Sequence, residues 1–305
     1  MKKKRKFHLS AKYQIVLCVT VMLLMLVIGI GFMIYPILSS QYMETVRSQI
    51  QMQYQEQISE SNTDQLDSIR EAAQAYNIKL ASGELSLLEP TENGYFDQLI
   101  IPDVTDVMAY IHIPKIHVDL PVYHGVGNDA LSSGCGHMPQ SSLPVGGEST
   151  HAVISAHTGM ASSAMFSDLP LLVPGDIFQI EVLGETLTYE IQSQDDIQTV
   201  LPVEVQAIQI KNGEDLCTLV TCVPFGVNTH RLLVTGHRIP TPDVQHGEAP
   251  ASVSLADETP KSVWQDEYWK SVKIGLWSIL AILSTACIGG CVYAYCKKHR
   301  GKYQR

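Results

Sequence analysis

Along this chain the hydrophobic and polar positions change texture several times, and each texture predicts a different element. Residues 15–38 carry no charged side chain, and residues 274–296 are uncharged and apolar apart from a few Ser, Thr and Tyr. As a helix, each stretch is long enough to cross a hydrocarbon core of about 30 Å. Between 39 and 80 the chain turns polar, rich in Gln, Glu and Ser and nearly free of Gly and Pro. Here Met43, Val46, Ile50, Tyr54 and Ile58 recur at three- or four-residue intervals, the period of an amphipathic helix, so one or two helices are predicted. Residues 81–105 contain Gly83, Pro90, Gly94 and Pro102 and read as a loop. Its Leu85, Leu87, Leu88, Tyr95 and Phe96 are too apolar for a solvated linker, so the loop is expected to lie against the domain that follows.

From Val107 to about Pro240 short apolar runs alternate with turn signals. The runs are Met108–Ile113, Asp119–Tyr123, Ala152–Ser155, Ile177–Val182, Leu187–Ile191, Ile208–Ile210, Thr218–Val223 and Arg231–Val234. Pro-Lys, Gly-Val-Gly-Asn, Pro-Val-Gly-Gly, Pro-Gly-Asp, Leu-Gly-Glu and Asn-Gly separate them. Short strands at this spacing predict an all-β fold that is closed or nearly so. The organisation expected is therefore a basic N-terminus (1–14), a transmembrane helix (15–38), a helical segment with a loop (39–106), a β domain (107–240), a polar linker (241–273), a second transmembrane helix (274–296) and a basic tail (297–305).

Charge sets the orientation. Lys2, Lys3, Lys4, Arg5, Lys6 and Lys12 precede the first span, and Lys297, Lys298, Arg300, Lys302 and Arg305 follow the second. Short basic flanks stay on the cytoplasmic side, so both termini are expected inside and the domain between the spans outside. A cleaved signal peptide is the alternative for the first span, but its apolar run is long for one and no small-residue cleavage site ends it. Between the spans only ten Lys and Arg face 31 Asp and Glu, a formal charge of −21. A domain this acidic is a poor nucleic-acid binder, and no nucleic-acid partner is expected. The lipid bilayer is the expected partner of the two ends.

Of seven cysteines, only Cys135, Cys217 and Cys222 fall in the external domain, an odd number that leaves at least one thiol unpaired within the chain. None of the three has Cys-x-x-Cys spacing, so no metal site and no cofactor are expected. Cys222 ends the run Thr-Leu-Val-Thr-Cys (218–222), and Pro224 and Gly226 follow. It therefore sits at a strand terminus, where a thiol can face a cleft on a fixed backbone. A thiol nucleophile needs a nearby base or cation. The other reading of Cys222 is a buried structural thiol or half of a disulfide with Cys217 or Cys135. Cys217 and Cys222 are an odd number of residues apart on one strand and so should face opposite sides. His157 lies where the apolar run Ala152–Ser155 gives way to a turn, a position for an acid/base imidazole. His124, His151, His230 and His237 compete with it. Arg231 starts the strand after the Cys222 turn, which as a hairpin would set its guanidinium beside Cys222 to hold a carbonyl or an oxyanion. Arg238 is the alternative.

These residues and their surroundings resemble the sortase family, and within it the class C, or pilin, sortases. The phrases that carry the resemblance are Ile111–Ile116, Leu120–Gly125, Ser142–Val153, Gly175–Phe178, Val182–Glu185, Gly226–Val234 and Gly236–Pro240, so it covers residues 107–240. It implies a closed eight-stranded sortase-type β-barrel with Cys222, His157 and Arg231 as catalytic residues, and with Leu219 and Thr221 against the substrate. The implied reaction cleaves a Leu-Pro-x-Thr-Gly-like sorting signal between Thr and Gly through a thioacyl intermediate on Cys222. An amine then resolves that intermediate. In pilin sortases the amine is a lysine of another pilin subunit, so the implied partners are pilin or surface-protein substrates at a Gram-positive cell membrane. Attachment of surface proteins to a cell-wall amine, or a non-catalytic module that only binds sorting signals, are the other readings. The chain departs from the family around the histidine, which stands in Ser-Ala-His-Thr-Gly (155–159) rather than Ser-Gly-His-Arg-Gly. It also lacks the Asp-Pro-aromatic lid motif; Glu89, Pro90, Tyr95 and Phe96 are the lid residues it offers instead.

Overall fold

The computed structural model describes residues 11–85, 94–101, 106–158, 163–204 and 208–242, with scattered positions between 270 and 290. They fall into two compact units, one of residues 1–39 with 265–305 and one of residues 40–264.

In the first unit the described residues are helical. Leu23, Leu24, Met25, Val27 and Phe32 are exposed along one helix, and a Cβ added to Gly29 would lie 3.0 Å from Ile279 Cδ1. Among the described residues no helix is long and apolar enough to cross a membrane. The two stretches expected to span lie partly outside those residues. Side chains at 15, 17, 18, 33, 36 and 37 fall outside them, as does most of 274–296.

The second unit is a β-barrel with helices packed on it. Its strands are β1 (Val107–Ile113), β2 (Val118–His124), β3 (Cys135–His137), β4 (Thr150–Ser155), β5 (Ile177–Val182), β6 (Glu185–Glu190), β7 (Ile197–Val200), β8 (Asp215–Val223) and β9 (His230–Ile239). Eight of them close a ring in the order β6-β5-β1-β2-β3-β4-β8-β9, with β9 returning to β6. Strand β9 manages this by dividing one edge: Ile239, Arg238 and His237 pair with β6, and Val234 to Arg231 pair with the short β7. The closed eight-stranded barrel expected from the sequence is thus present, with β7 added outside the ring. Closure leaves few edges to protect. Side chains alternate in and out, and Ile111, Ile154, Phe178, Ile180, Leu219 and Val234 form the fully buried interior. Gly236 is where β9 crosses to β6; a Cβ there would meet the Phe178 ring at 2.5 Å and Tyr189 Cβ at 2.7 Å, so only glycine fits.

The strand pattern differs from the one predicted at three places. Residues 208–210 form no strand, because Ile208 instead packs onto a small apolar cluster on the barrel exterior. Strands β3 and β7 have no apolar run to announce them; Cys-Gly-His and Ile-Gln-Thr-Val are held by neighbours β2, β4 and β9.

The predicted helices are α1 (Ala11–Glu60) and α2 (Thr63–Ala81), parted at Asn62, whose side chain caps α2 by accepting from the Asp64 N–H. The face of α1 marked by Val46, Ile50, Tyr54 and Ile58 is the one turned to the barrel. Tyr54 is fully buried, its hydroxyl accepts from the Leu183 N–H at 3.1 Å, and its ring meets Tyr110 at 5.3 Å. On α2, Asn77 grips Leu143 twice: the amide donates to its carbonyl at 3.0 Å and accepts its N–H at 2.7 Å.

Candidate active site

Strand β8 carries the candidate nucleophile and sets its face. Residues Cys217, Leu219 and Thr221 point into the barrel and are all but fully buried. Thr218, Val220 and Cys222 therefore face outward. On its left β8 pairs in parallel with β4, with Ser155 opposite Val220. That register is held past the end of the ladder, because the Ala156 N–H donates to the Val220 carbonyl at 3.1 Å and Thr221 Oγ1 donates to the Ala156 carbonyl at 2.9 Å. Two residues beyond Ser155 and Val220 the same register sets His157 level with Cys222. On the right the antiparallel pairing puts Arg231 directly opposite Cys222. The intervening turn follows from its residues. The N–H groups of Val227 and Asn228 both donate to the Pro224 carbonyl at 3.0 Å, and Gly226 and Asn228 adopt φ values of 74° and 61°. Glycine and asparagine are the residues that tolerate this left-handed backbone.

One row across three neighbouring strands thus contains imidazole, thiol and guanidinium, all partly exposed. Arg231 Nη1 donates to the carbonyls of Asn228 (3.2 Å) and His230 (3.1 Å), so the turn beside Cys222 also orients the guanidinium. Below that row Val153, Val220 and Leu233 are buried in a small apolar cluster on the outer face of the sheet, packed against Met138, Val200 and Ile208. The row thus brings together a thiol, an imidazole and a guanidinium beside a buried apolar cluster. That is the equipment for attacking a carbonyl.

The other candidates are engaged elsewhere. The His124 ring bonds the Gln98 carbonyl at 2.8 Å. His151 donates Nδ1–H to the Gln209 carbonyl at 2.8 Å, with Nε2 2.6 Å from Thr218 Oγ1. His237 meets Asp196 at 3.1 Å, and Arg238 donates to the Thr188 and Ile239 carbonyls. Cys135, Cys217 and Cys222 are all free thiols. Burial pushes the Cys135 and Cys217 thiols far up from their ordinary value. Among the described residues no group of His, Cys, Asp and Glu could hold a metal ion.

The remaining expected residues lie on other faces of the barrel or outside the described residues. Leu219 and Thr221, expected against the substrate, face the barrel interior, because alternation along β8 turns them to the face opposite Cys222. Thr221 serves the site from below, through its bond to the residue before His157. Of the expected lid, Glu89 and Pro90 lie outside the described residues. Tyr95 and Phe96 dock against the β2–β3 side of the barrel rather than against Cys222. The Tyr95 hydroxyl donates to the His137 carbonyl (3.1 Å) and accepts from the Gly125 N–H (3.0 Å), and its ring meets Phe96, His124 and His137. No motif marks Arg47, which contacts Ser163 and Met165 in the segment after His157.

Residues 111–239 match the family model described as the sortase domain. Among solved structures the chain is similar to sortase C1 from Streptococcus agalactiae, with 42% identity and a TM-score of 0.57 over 62% of this chain and 97% of that one. It is also similar to Clostridium perfringens sortase C, solved with the C-terminal cell wall sorting motif, with 36% identity and a TM-score of 0.54 over 63% of this chain and 98% of that one. A curated relative, sortase A of Streptococcus agalactiae serotype III, is 33% identical over 119 residues. That match covers 38% of this chain, and the chain spans about half, 47%, of that relative's length.

Proposed function

Because this chain belongs to the sortase family, we propose that it is a membrane-anchored cysteine transpeptidase of the class C type, joining proteins through their sorting signals. The observation that carries this reading is the row formed by Cys222 on β8, Arg231 opposite it on β9, and His157 just past the end of β4 in the same register. A Leu-Pro-x-Thr-Gly-like signal binds with its Thr carbonyl at Cys222. The Cys222 thiolate attacks the Thr carbonyl carbon, and the Arg231 guanidinium stabilises the negative oxygen that forms. The Thr–Gly bond breaks, the glycine nitrogen leaves with a proton from His157, and the acyl group remains on sulfur as a thioester. An acceptor amine then attacks the thioester, giving up a proton to His157, and the Cys222 sulfur leaves. When the amine is a pilin lysine, the product is an isopeptide bond and the outcome is a polymer. Anchoring follows from the two uncharged stretches at 15–38 and 274–296 with their basic flanks. The small Gly29 facing Ile279 is of the kind that lets two helices approach closely in a bilayer.

The test uses the full chain in detergent with a synthetic sorting-signal peptide and an amine acceptor. Mass spectrometry should find the peptide, minus its glycine end, bound to Cys222, and then transferred to the amine. An adduct on Cys135 or Cys217 would overturn the assignment of the nucleophile. Peptide binding with no adduct or product would make the chain a binding module instead. Supplying a pilin lysine and a cell-wall peptide amine in competition separates polymerisation from wall anchoring.

A further inference from the structure

We infer that Arg47, on helix α1, is a positioning residue for His157, so that the segment leading out of the membrane helps to set the acid/base group of the site. The inference rests on the transpeptidase reading above.

The chain of contacts is short. After β4 the chain turns away at His157, and the His157 carbonyl accepts a hydrogen bond from the Phe166 N–H at 3.1 Å. Phe166 is fully buried, so residues 163–166 are the fixed far end of the segment that carries the imidazole. Met165 in that stretch has a φ of 46°, a left-handed backbone that a residue with a side chain adopts only when tertiary contacts hold it there. Arg47 supplies those contacts. Its Nη1 donates to Ser163 Oγ at 2.7 Å, its Nη2 lies 3.9 Å from Met165 Sδ, and its Nε donates to the Ser133 carbonyl at 3.1 Å. Ser133 ends helix α3 (Asn128–Ser133), which leads directly into β3, and β3 pairs with β4. One guanidinium therefore joins α1 both to the segment after His157 and to the helix that leads into β3, the neighbour of β4.

This is an expensive way to place a cation. Arg47 is half-buried, and desolvation acts against its charge. Its three described acceptors are all neutral. Glu44 is one turn away on the same helix and Asp119 lines the same cavity, but neither forms an ion pair with it among the described residues. A cavity of about 450 Å³ opens beside the side chain, lined also by Ser48, Gln51 and His117. Close packing is therefore not what fixes the guanidinium; its directional hydrogen bonds do. A lysine has the charge but not the planar fork that reaches three separate acceptors.

The experiment measures transpeptidation by the full chain in detergent for wild type, Arg47→Ala, Arg47→Lys, Ser163→Ala, Arg47→Ala with Ser163→Ala, and Asn77→Ala. Asn77 holds α2 to the barrel at Leu143, away from the His157 segment, and serves as the structural control. A displaced imidazole should lower kcat about ten- to hundredfold in both Arg47 variants while KM for the sorting peptide stays within about twofold. Ser163→Ala should lower kcat severalfold, and the double variant should be no worse than Arg47→Ala alone. Asn77→Ala should lower the melting temperature and leave kcat unchanged. If Arg47→Ala does not fold, Arg47→Lys and Ser163→Ala carry the same comparison. Unchanged kcat in the Arg47 variants, or additive losses in the double variant, would overturn the inference while leaving the transpeptidase reading intact. An inactive wild type would overturn that reading itself.

Discussion

Three free thiols share the barrel domain, and their surroundings separate their chemistry. Cys135 and Cys217 are fully buried, and burial raises both thiols so far that they stay protonated at neutral pH. Cys222, one face over on the same strand as Cys217, is partly exposed at the strand's end. A membrane-impermeant thiol reagent should therefore modify Cys222 alone among these three, and peptide mapping checks this. Cys222→Ala should abolish transfer, whereas Cys135→Ala and Cys217→Ala should retain it and lose some stability. Thr221 makes a subtler case. Thr221→Val keeps the shape but leaves the Ala156 carbonyl unpaired, which should cost about 1–2 kcal/mol in stability. It should also lower turnover more than peptide affinity, because Ala156 precedes His157. The sequence marked Thr221 through its neighbourhood to Cys222 but not its direction. Which face a side chain takes becomes certain only when the strand's partners fix its register.

At the scale of elements, the helices before the barrel are parts of its core and not a tether. Tyr54 on α1 and Ala73, Tyr76 and Leu80 on α2 join the same buried cluster as the strands. Asn77→Ala strands both the N–H and the carbonyl of buried Leu143 and should cost about 2 kcal/mol or more, read from chemical denaturation. The segment 94–101 belongs to that core as well, since Tyr95, Leu99 and Ile101 are at most 3% exposed. Removing residues 81–100 should therefore destabilise the barrel itself, seen as a lower melting temperature, and not merely uncover Cys222. Periodicity made α1 legible because five apolar residues at helical spacing need one partner surface. It could not reveal β3, a three-residue strand whose Cys-Gly-His has no pattern of its own. Nor could it reject residues 208–210, where the same apolar residues serve a loop lying on the barrel exterior.

Over the whole molecule, acid should weaken the fold through His137. The imidazole is fully buried and neutral, its Nε2–H donated to the Ser142 carbonyl at 2.8 Å, and burial lowers its pKa from 6.5 to about 4. The unfolded chain therefore binds the extra proton first. The stabilisation is fully present above pH 6.5 and is lost as pH falls toward 4, by roughly 3 kcal/mol. His151, also lowered by burial, acts in the same direction. Melting temperatures taken across that range should fall with acid, and His137→Asn should be less stable at pH 7 but flatter below it. For the proposed topology, a protease added outside intact cells should release a fragment lying within residues 39–272. Cleavage of the C-terminal tail with the domain protected would reverse the orientation. By itself the sequence determined the acidic domain between two uncharged stretches, the all-β character of 107–240 and the likeness that singles out Cys222, His157 and Arg231. These are properties of composition and local order, and they survive any rearrangement of the chain in space. Only the tertiary structure decided that β9 closes the ring by dividing its edge between β6 and β7, and that Leu219 and Thr221 turn inward. It alone brought Arg47 to the segment that holds His157, across more than a hundred residues of chain, because such contacts depend on which surfaces the closed barrel leaves for the helices to cover.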